Sequence, residues 1–366
     1  MPQVTIHVQP RSYQARIENG LLARAGTLLG ELLSQSSKVF VLTVAPVRRR
    51  WGAKLLRSLE ASGFRPQLIQ MPDGETAKKL RTVESLAEKL VKLGADRKAV
   101  LIAFGGGVVG DVTGLLASLY MRGIELVQFP TTVLAQADAS VGGKTGVNLA
   151  AGKNLLGTFY QPRVVLIDPE LLRTLPNRQF RTGLYEALKC GIIGDLDLFL
   201  RFEQKRAQIL KRDPVEVEGV IAQAVRLKAE IVSADEHEGG LRRVLNLGHT
   251  IGHALEAEMG YRGLLHGEAV AWGLIAATNI ALAVGRTDSI TAGRIADAVL
   301  GLGRLPELKV SPRKIVARLQ ADKKSEGGAV HFVLPREIGK VEITAGVPDS
   351  VVLEAVEELR RISRGG

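Results

Sequence analysis

The chain has 366 residues, 46% of them hydrophobic and 24% charged, which is long enough for about two domains with a core in each. Its one cysteine, Cys190, excludes a disulfide framework, and the opening MPQVTIHV lacks the basic start and long apolar run of a signal peptide, so a reducing cytoplasm is expected. Forty-nine Lys and Arg against 38 Asp and Glu leave a net charge of +11, which suits nucleic acid, a membrane surface or an anionic small substrate. With 4% aromatic residues, stacking platforms for single strands are scarce.

In chain order, Val4, Ile6 and Val8 alternate, QPRS reads as a turn, and Tyr13, Ala15 and Ile17 alternate again, predicting an opening hairpin followed by a helix from Leu21 to Leu33. Apolar runs then alternate with helical patterns: KVFVLTV, PQLIQMP, AVLIAF, IELVQFP and RVVLID are strand candidates separated by enough chain for crossovers, which is α/β layering. Leu80, Val83, Leu86, Leu90 and Leu93 form one apolar helix stripe that Gly94 ends. Strand signals stop near Pro176. From Gln179 to Gly303 the sequence reads as helix upon helix, and the uncharged run from Ala269 to Gly285 is better explained by a buried helix than by a membrane span. A hairpin at AVHFVLP and KVEIT and a helix from Ser350 to Ile362 close the chain. The fold expected is a Rossmann-like, mostly parallel α/β domain over 1–177 and an all-α or mainly helical domain over 178–366, with the active site in the cleft between them.

Gly105, Gly107 and Gly110 satisfy G-x-G-x-x-G where the AVLIAF strand should feed a helix. Glycines there let backbone approach a pyrophosphate, and a helix start supplies unpaired N–H groups, so a dinucleotide site is expected. Glu125 lies near the start of a strand and is not assigned to the ribose. Loops at the carboxyl ends of parallel strands nominate PDGETAK and Thr131 with Thr132, and DASVGGKTGVNLAAGKN brings Lys144 and Lys153 into a mobile glycine-rich loop suited to phosphate or carboxylate.

Three of the six histidines, His249, His253 and His266, cluster within eighteen residues, flanked by Arg242, Asn246, Glu256 and Glu268. A helix from Leu245 to Glu258 would put His249 and His253 on one face at i and i+4, with Glu256 one turn on. Imidazole is the commonest metal ligand and zinc also takes carboxylate, so a metal site is expected whose carboxylate comes from elsewhere in the chain.

The ordered motifs DGETAK, GGGVVGD, YMRG, FPTT, SVGGKTGVN, AGKNLLGTFYQP, GLYEALKCG, LNLGHTIGHALEAE and LLHGEAV, with DKK at Asp322 to Lys324, closely resemble 3-dehydroquinate synthase. The resemblance implies a cytoplasmic shikimate-pathway enzyme, a homodimer, that converts 3-deoxy-D-arabino-heptulosonate 7-phosphate to 3-dehydroquinate and phosphate. It implies NAD and one divalent metal, usually zinc, with cobalt as the alternative, and neither a nucleic-acid nor a membrane partner. Carried over by motif, the metal ligands would be Glu186, His249 and His266. Asp138, Lys144, Asn154, Lys189, Lys228, Arg242, Asn246, His253 and Lys324 would surround the substrate, with Arg122 reaching a neighbouring subunit. Cofactor contacts would come from Asp73, Glu75 and Lys78, from Gly107, Val108, Val109, Gly110 and Asp111, from Thr131 and Thr132, and from Lys144, Lys153 and Thr174. Another sugar phosphate cyclase and a metal-dependent NAD polyol dehydrogenase are the alternatives. Val44 and Pro46 stand where many relatives carry an acidic residue and an asparagine; with Arg48 close by, this bears on the choice between NAD and NADP.

Overall fold

The computed structural model describes residues 1–34, 37–150, 152–261, 263–325 and 330–365, with the backbone alone for 322–325. Its chain forms two compact units. One comprises Met1–Pro176 with Val217–His237, the other Asn177–Glu216 with Glu238–Gly366.

In the first unit, seven strands among the described residues make one sheet: β1 (Gln3–Ile6), β2 (Tyr13–Ile17), β3 (Val39–Thr43), β4 (Pro66–Gln70), β5 (Val100–Gly105), β6 (Glu125–Pro130) and, after an intervening hairpin, β9 (Val164–Ile167). Their order is β1-β2-β9-β6-β5-β3-β4, antiparallel only between β1 and β2. Every residue of β3 is buried because both faces of the sheet are covered. Phe40 and Leu42 join the core with the helices Leu80–Lys92 and Gly107–Leu119, whereas Val39 and Val41 join the core with Leu28, Leu55 and Leu59. Asp168, fully buried after β9, accepts the Gly20 and Leu22 N–H groups at 2.8 Å each and that of Glu170 at 3.0 Å, which fixes the chain entering the first helical turns. That stretch is a 3-10 turn Leu21–Arg24 and a short helix Ala25–Gly30, not one helix to Leu33.

The register sets the functional edge. Thr43 pairs with Gln70 and with Phe104, and Gly105 pairs with Pro130, so the chain beyond Gln70, Thr43, Gly105 and Pro130 emerges at one level. Asp73, Val44, Gly107 and Thr131 all follow within a few residues of that edge.

The glycine-rich segment expected as a mobile loop is instead a hairpin of β7 (Lys144–Leu149) and β8 (Gly152–Phe159). Gly146 faces Gly157 across it, and a Cβ on Gly157 would stand 2.0 Å from the Thr145 carbonyl oxygen. Strand spacing here depends on residues of low strand propensity, which hid the hairpin in the sequence.

Among the described residues the second unit is helical apart from the hairpin β10 (His331–Glu337) and β11 (Lys340–Ala345), so it is not all-α. The helix His266–Ala283 is buried on nearly every side. A Cβ on its Gly267 would stand 2.0 Å from the Thr182 carbonyl oxygen of the helix Asn177–Ile193, and one on Gly273 would stand 1.8 Å from that of Gly248. Those two contacts bring three backbones closer than side-chain packing allows. The helix Leu245–Glu258 expected from spacing is broken: a 3-10 turn covers Leu241–Asn246, Gly248 takes φ 78°, and the helix proper is His249–Glu258. No helix among the described residues is long and apolar enough to cross a membrane.

Candidate metal centre and dinucleotide site

The helix Asn177–Ile193 buries Glu186 completely, and both carboxylate oxygens lack a well-directed hydrogen bond. Oε1 lies 3.3 Å from His266 Nε2 and 3.6 Å from His249 Nε2, while Lys189 Nζ stands 2.6 Å from Oε2. Ligands about 2.0–2.1 Å from one tetrahedral ion are about 3.3–3.4 Å apart, so these three atoms are spaced as ligands of a single zinc. The remaining ring nitrogens are already engaged: His266 Nδ1 is 3.2 Å from Glu256 Oε2 and His249 Nδ1 is 3.2 Å from the Leu247 carbonyl. Both rings therefore turn Nε2 toward Glu186, the arrangement in which an outer acceptor fixes the tautomer of a metal-binding histidine.

His253 also has a ring nitrogen within 4.8 Å of those of His249 and His266, so distance alone would admit it to the set. Its ring stacks on His266 with centroids 5.7 Å apart, and it is exposed. A buried carboxylate without a hydrogen bond has the stronger need for a cation. Glu186 with the two half-buried imidazoles fits a metal ion, which leaves the exposed His253 at its margin.

Electrostatics agree. Burial opposes the charge on Glu186, but Lys189 and then the imidazoles hold its carboxyl well below the usual carboxylate range. Burial, reinforced by Lys189, pushes His249 down to about 3. Burial acts against the His266 cation too, but Glu186 and Glu256 outweigh it and push the ring up to about 10. The start of the His266 helix is fixed by Glu268, whose Oε2 accepts the Leu265 N–H at 2.8 Å and whose carboxylate takes both arms of Arg178 at 2.6 and 2.7 Å.

In the first unit the helix Gly107–Leu119 begins one residue past β5. A Cβ on Gly105 would stand 2.5 Å from Val109 Cγ2 and one on Gly110 3.0 Å from Gln128 Oε1, so these glycines permit close packing of helix on strand. Asp111 pairs with Lys78 Nζ at 2.5 Å, and Lys78 also donates to Asn154 Oδ1. Burial raises the Asp111 carboxyl and Lys78 pulls it back. Glu75 accepts from Asn148 Nδ2 at 2.7 Å. Asp138 and the buried Lys228 pair at 2.8 Å, with the Asp138 carbonyl also accepting from Nζ at 2.6 Å.

The model of the 3-dehydroquinate synthase N-terminal domain matches residues 68–182, and that of its C-terminal domain matches 183–325. The chain is 52% identical over 363 residues to the 3-dehydroquinate synthase of Koribacter versatilis, covering 99% of both. It belongs to the 3-dehydroquinate synthase family. Among solved structures it resembles ValA, the 2-epi-5-epi-valiolone synthase of Streptomyces hygroscopicus with NAD+ and Zn2+ bound (TM-score 0.89, 32% identity, 97% of this chain and 98% of that one). It also resembles 2-deoxy-scyllo-inosose synthase complexed with carbaglucose-6-phosphate, NAD+ and Co2+ (TM-score 0.85, 26% identity, 98% and 99%).

Within this 3-dehydroquinate synthase family member, the remaining nominated residues are distributed as follows. Arg242 is buried on the Leu241–Asn246 turn, and Asn246 Nδ2 donates to Glu238 Oε1 at 3.2 Å. Thr131 follows β6, its N–H bonded to the Gly105 carbonyl at 2.9 Å and its buried hydroxyl without a partner, while Thr132 Oγ1 accepts the Ala135 N–H at 3.2 Å. Asp73 Oδ1 accepts the Gly74 N–H at 2.8 Å. Lys144 and Lys153 lie on β7 and β8, and Val108 lies beside Gly107 in the first turn of its helix. Thr174 accepts from Trp51 Nε1 at 3.1 Å. Arg122 is exposed on a turn with φ 68°. The side chain of Lys324 lies outside the described residues. Sequence reading noticed Glu256 as a neighbour and missed its contact with His266 Nδ1. It gave Asn148 and Glu238 no role. Val44 is buried just past β3, Pro46 sits in the turn Ala45–Val47, and Arg48 opens a π-helical turn with Nη1 3.3 Å from Gln70 Oε1.

Proposed function

We propose that this chain is a 3-dehydroquinate synthase, converting 3-deoxy-D-arabino-heptulosonate 7-phosphate to 3-dehydroquinate and phosphate with NAD and one divalent metal ion. The observation that carries the reading is the buried Glu186 carboxylate, without a hydrogen bond and faced by two histidine Nε2 atoms at ligand spacing. Glu186, His249 and His266 would hold the ion, and the Gly105–Gly110 turn with Glu75, Lys78 and Asp111 would hold the dinucleotide. When bound, the metal supplies Lewis acidity and NAD a reversible hydride acceptor.

The chain's own residues supply position and charge. Lys189, Arg242 and Lys228 bring cations to a substrate that carries a phosphate and a carboxylate. Each is buried, so each acts with little screening by water. The pairing of Lys228 with Asp138 holds its ammonium aimed in advance. His253, exposed beside the two nominated ligands and stacked on His266, is placed to exchange a proton with the substrate through a ring nitrogen.

Purified protein supplied with zinc, NAD and the heptulosonate phosphate is expected to release inorganic phosphate with no net rise in absorbance from reduced cofactor. Net accumulation of reduced cofactor would mark a polyol dehydrogenase. Phosphate release only from another sugar phosphate would mark a different cyclase.

Exposed Leu149, Leu155, Leu156 and Phe159 on the β7–β8 hairpin fit burial against a second copy, hence a homodimer, which light scattering on the purified protein tests. The absence of a disulfide framework suits the cytoplasm, where a biosynthetic enzyme of this kind would work.

A further inference from the structure

We propose that Asn148 is a positioning residue that holds the cofactor-binding and substrate-binding groups of the first unit in one hydrogen-bonded ring. This rests on the reading above for the roles of Glu75, Lys78 and Asn154.

Asn148 does not behave as a strand residue. The β7–β8 register shifts between Val147 and Leu149, so Asn148 is left out of the ladder. A bulge of this kind re-aims one side chain and frees its backbone groups. The freed N–H donates to the Lys78 carbonyl at 2.8 Å. Its side chain works in both directions: Nδ2 donates to Glu75 Oε1 at 2.7 Å, and Oδ1 accepts the Asn154 N–H at 2.9 Å. Asn154 takes φ 57°, a left-handed conformation that asparagine tolerates better than most residues, and its side-chain oxygen accepts from Lys78 Nζ. Lys78 closes onto Asp111 in the helix that follows the glycine turn.

Glu75, Lys78 and Asp111 bear on the dinucleotide and Asn154 on the substrate. Asn148 bonds a residue of each kind through opposite ends of one amide. Neither end can be exchanged: a donor must face the Glu75 carboxylate and an acceptor must face the Asn154 N–H. Removing the amide therefore loosens both sites, whereas reversing one end disturbs one site only.

Calorimetric titration of NAD+ into metal-loaded protein without substrate tests the first arm. Asn148→Ala should weaken NAD+ about tenfold, the scale of one hydrogen bond to a charged group. In a Glu75→Ala background the same change should cost less than twofold, because its route to the cofactor is already gone. Asn148→Asp, of nearly identical shape, keeps the acceptor for Asn154 and sets a carboxylate against Glu75. It should weaken NAD+ at least as much as Ala, lose that effect in the Glu75→Ala background, and recover most of the kcat that Asn148→Ala loses at saturating NAD+. Equal, additive losses in both backgrounds, or a kcat no better in Asn148→Asp than in Asn148→Ala, overturn the proposal. Should Asn148→Ala not fold, the Asp variant alone completes the cycle. If the unaltered protein releases no phosphate from the heptulosonate phosphate, the functional reading fails, and the NAD+ cycle still decides whether Asn148 acts through Glu75.

Discussion

A carboxylate taken out of water is costly unless cations repay it, and Glu186 is in that state, with Lys189 Nζ 2.6 Å from its Oε2 and the His249 and His266 imidazoles facing its Oε1. Glu186→Ala and His249→Ala should therefore lose bound metal, whereas His253→Ala should keep it and lose rate; metal analysis of the three purified variants decides, and metal loss in His253→Ala would reverse the assignment. Glu256 orients His266 through Nδ1, so Glu256→Ala should lower zinc affinity by about 10- to 100-fold and Glu256→Gln by less, since the amide oxygen still accepts. With the ring at about 10 in the metal-free protein, His266 is protonated near neutrality, while Glu186 is already ionised and His249 already neutral. Zinc uptake should expel roughly one proton, and apparent affinity should rise up to about tenfold per pH unit between about 6.5 and 8. Calorimetry in buffers of different ionisation enthalpy counts that proton. The sign for stability is opposite: because the ring is raised above its unfolded value, its contribution is complete below about pH 6.5 and is lost as pH climbs through about 10. At this scale the three histidines were legible because they crowd one stretch. Glu186 was reached through motif resemblance alone, since spacing carries no signal between residues that only tertiary packing brings together.

At the scale of elements, strands with apolar runs were legible: β3, β5, β6 and β9, buried along nearly their whole length, and the more exposed edge strand β4 fall where the runs place them. The β7–β8 hairpin was not, because its pairing depends on glycines that make room for backbone and not on a pattern of apolar side chains. Gly157→Ala tests that: its Cβ would meet a carbonyl oxygen that cannot retreat without parting the strands. The substitution should lower stability by about 1–3 kcal/mol and weaken NAD+ along with it, read by thermal melting and titration of the same sample. A loss of stability with NAD+ affinity untouched would separate the hairpin from the cofactor site. The break at Gly248 was also missed, although helical spacing still put His249 and His253 one turn apart, since both lie within the helix that remains.

For the whole molecule, the metal should act as a folding ligand of the second unit, because all three of its nominated holders belong to that unit. With zinc at about 100 times its dissociation constant the gain is about 2.7 kcal/mol, so chelation should lower the melting temperature by roughly 5–10 °C, and adding zinc back should restore it. The chain changes unit at Pro176, and changes again on either side of Val217–His237, where the expected second domain over 178–366 is interrupted. Periodicity could not reveal that Val217–His237 returns to the first unit, since a buried helix reads alike whichever core receives it. That return has a consequence during synthesis. Lys228, the partner of Asp138, is added long after Asp138 itself, so a nascent chain that ends at Pro176 has its sheet and glycine turn but lacks a segment it needs. The first unit can be completed only after part of the second has left the ribosome, so the two are not separable cassettes, and any fragment cut at Pro176 should emerge incomplete.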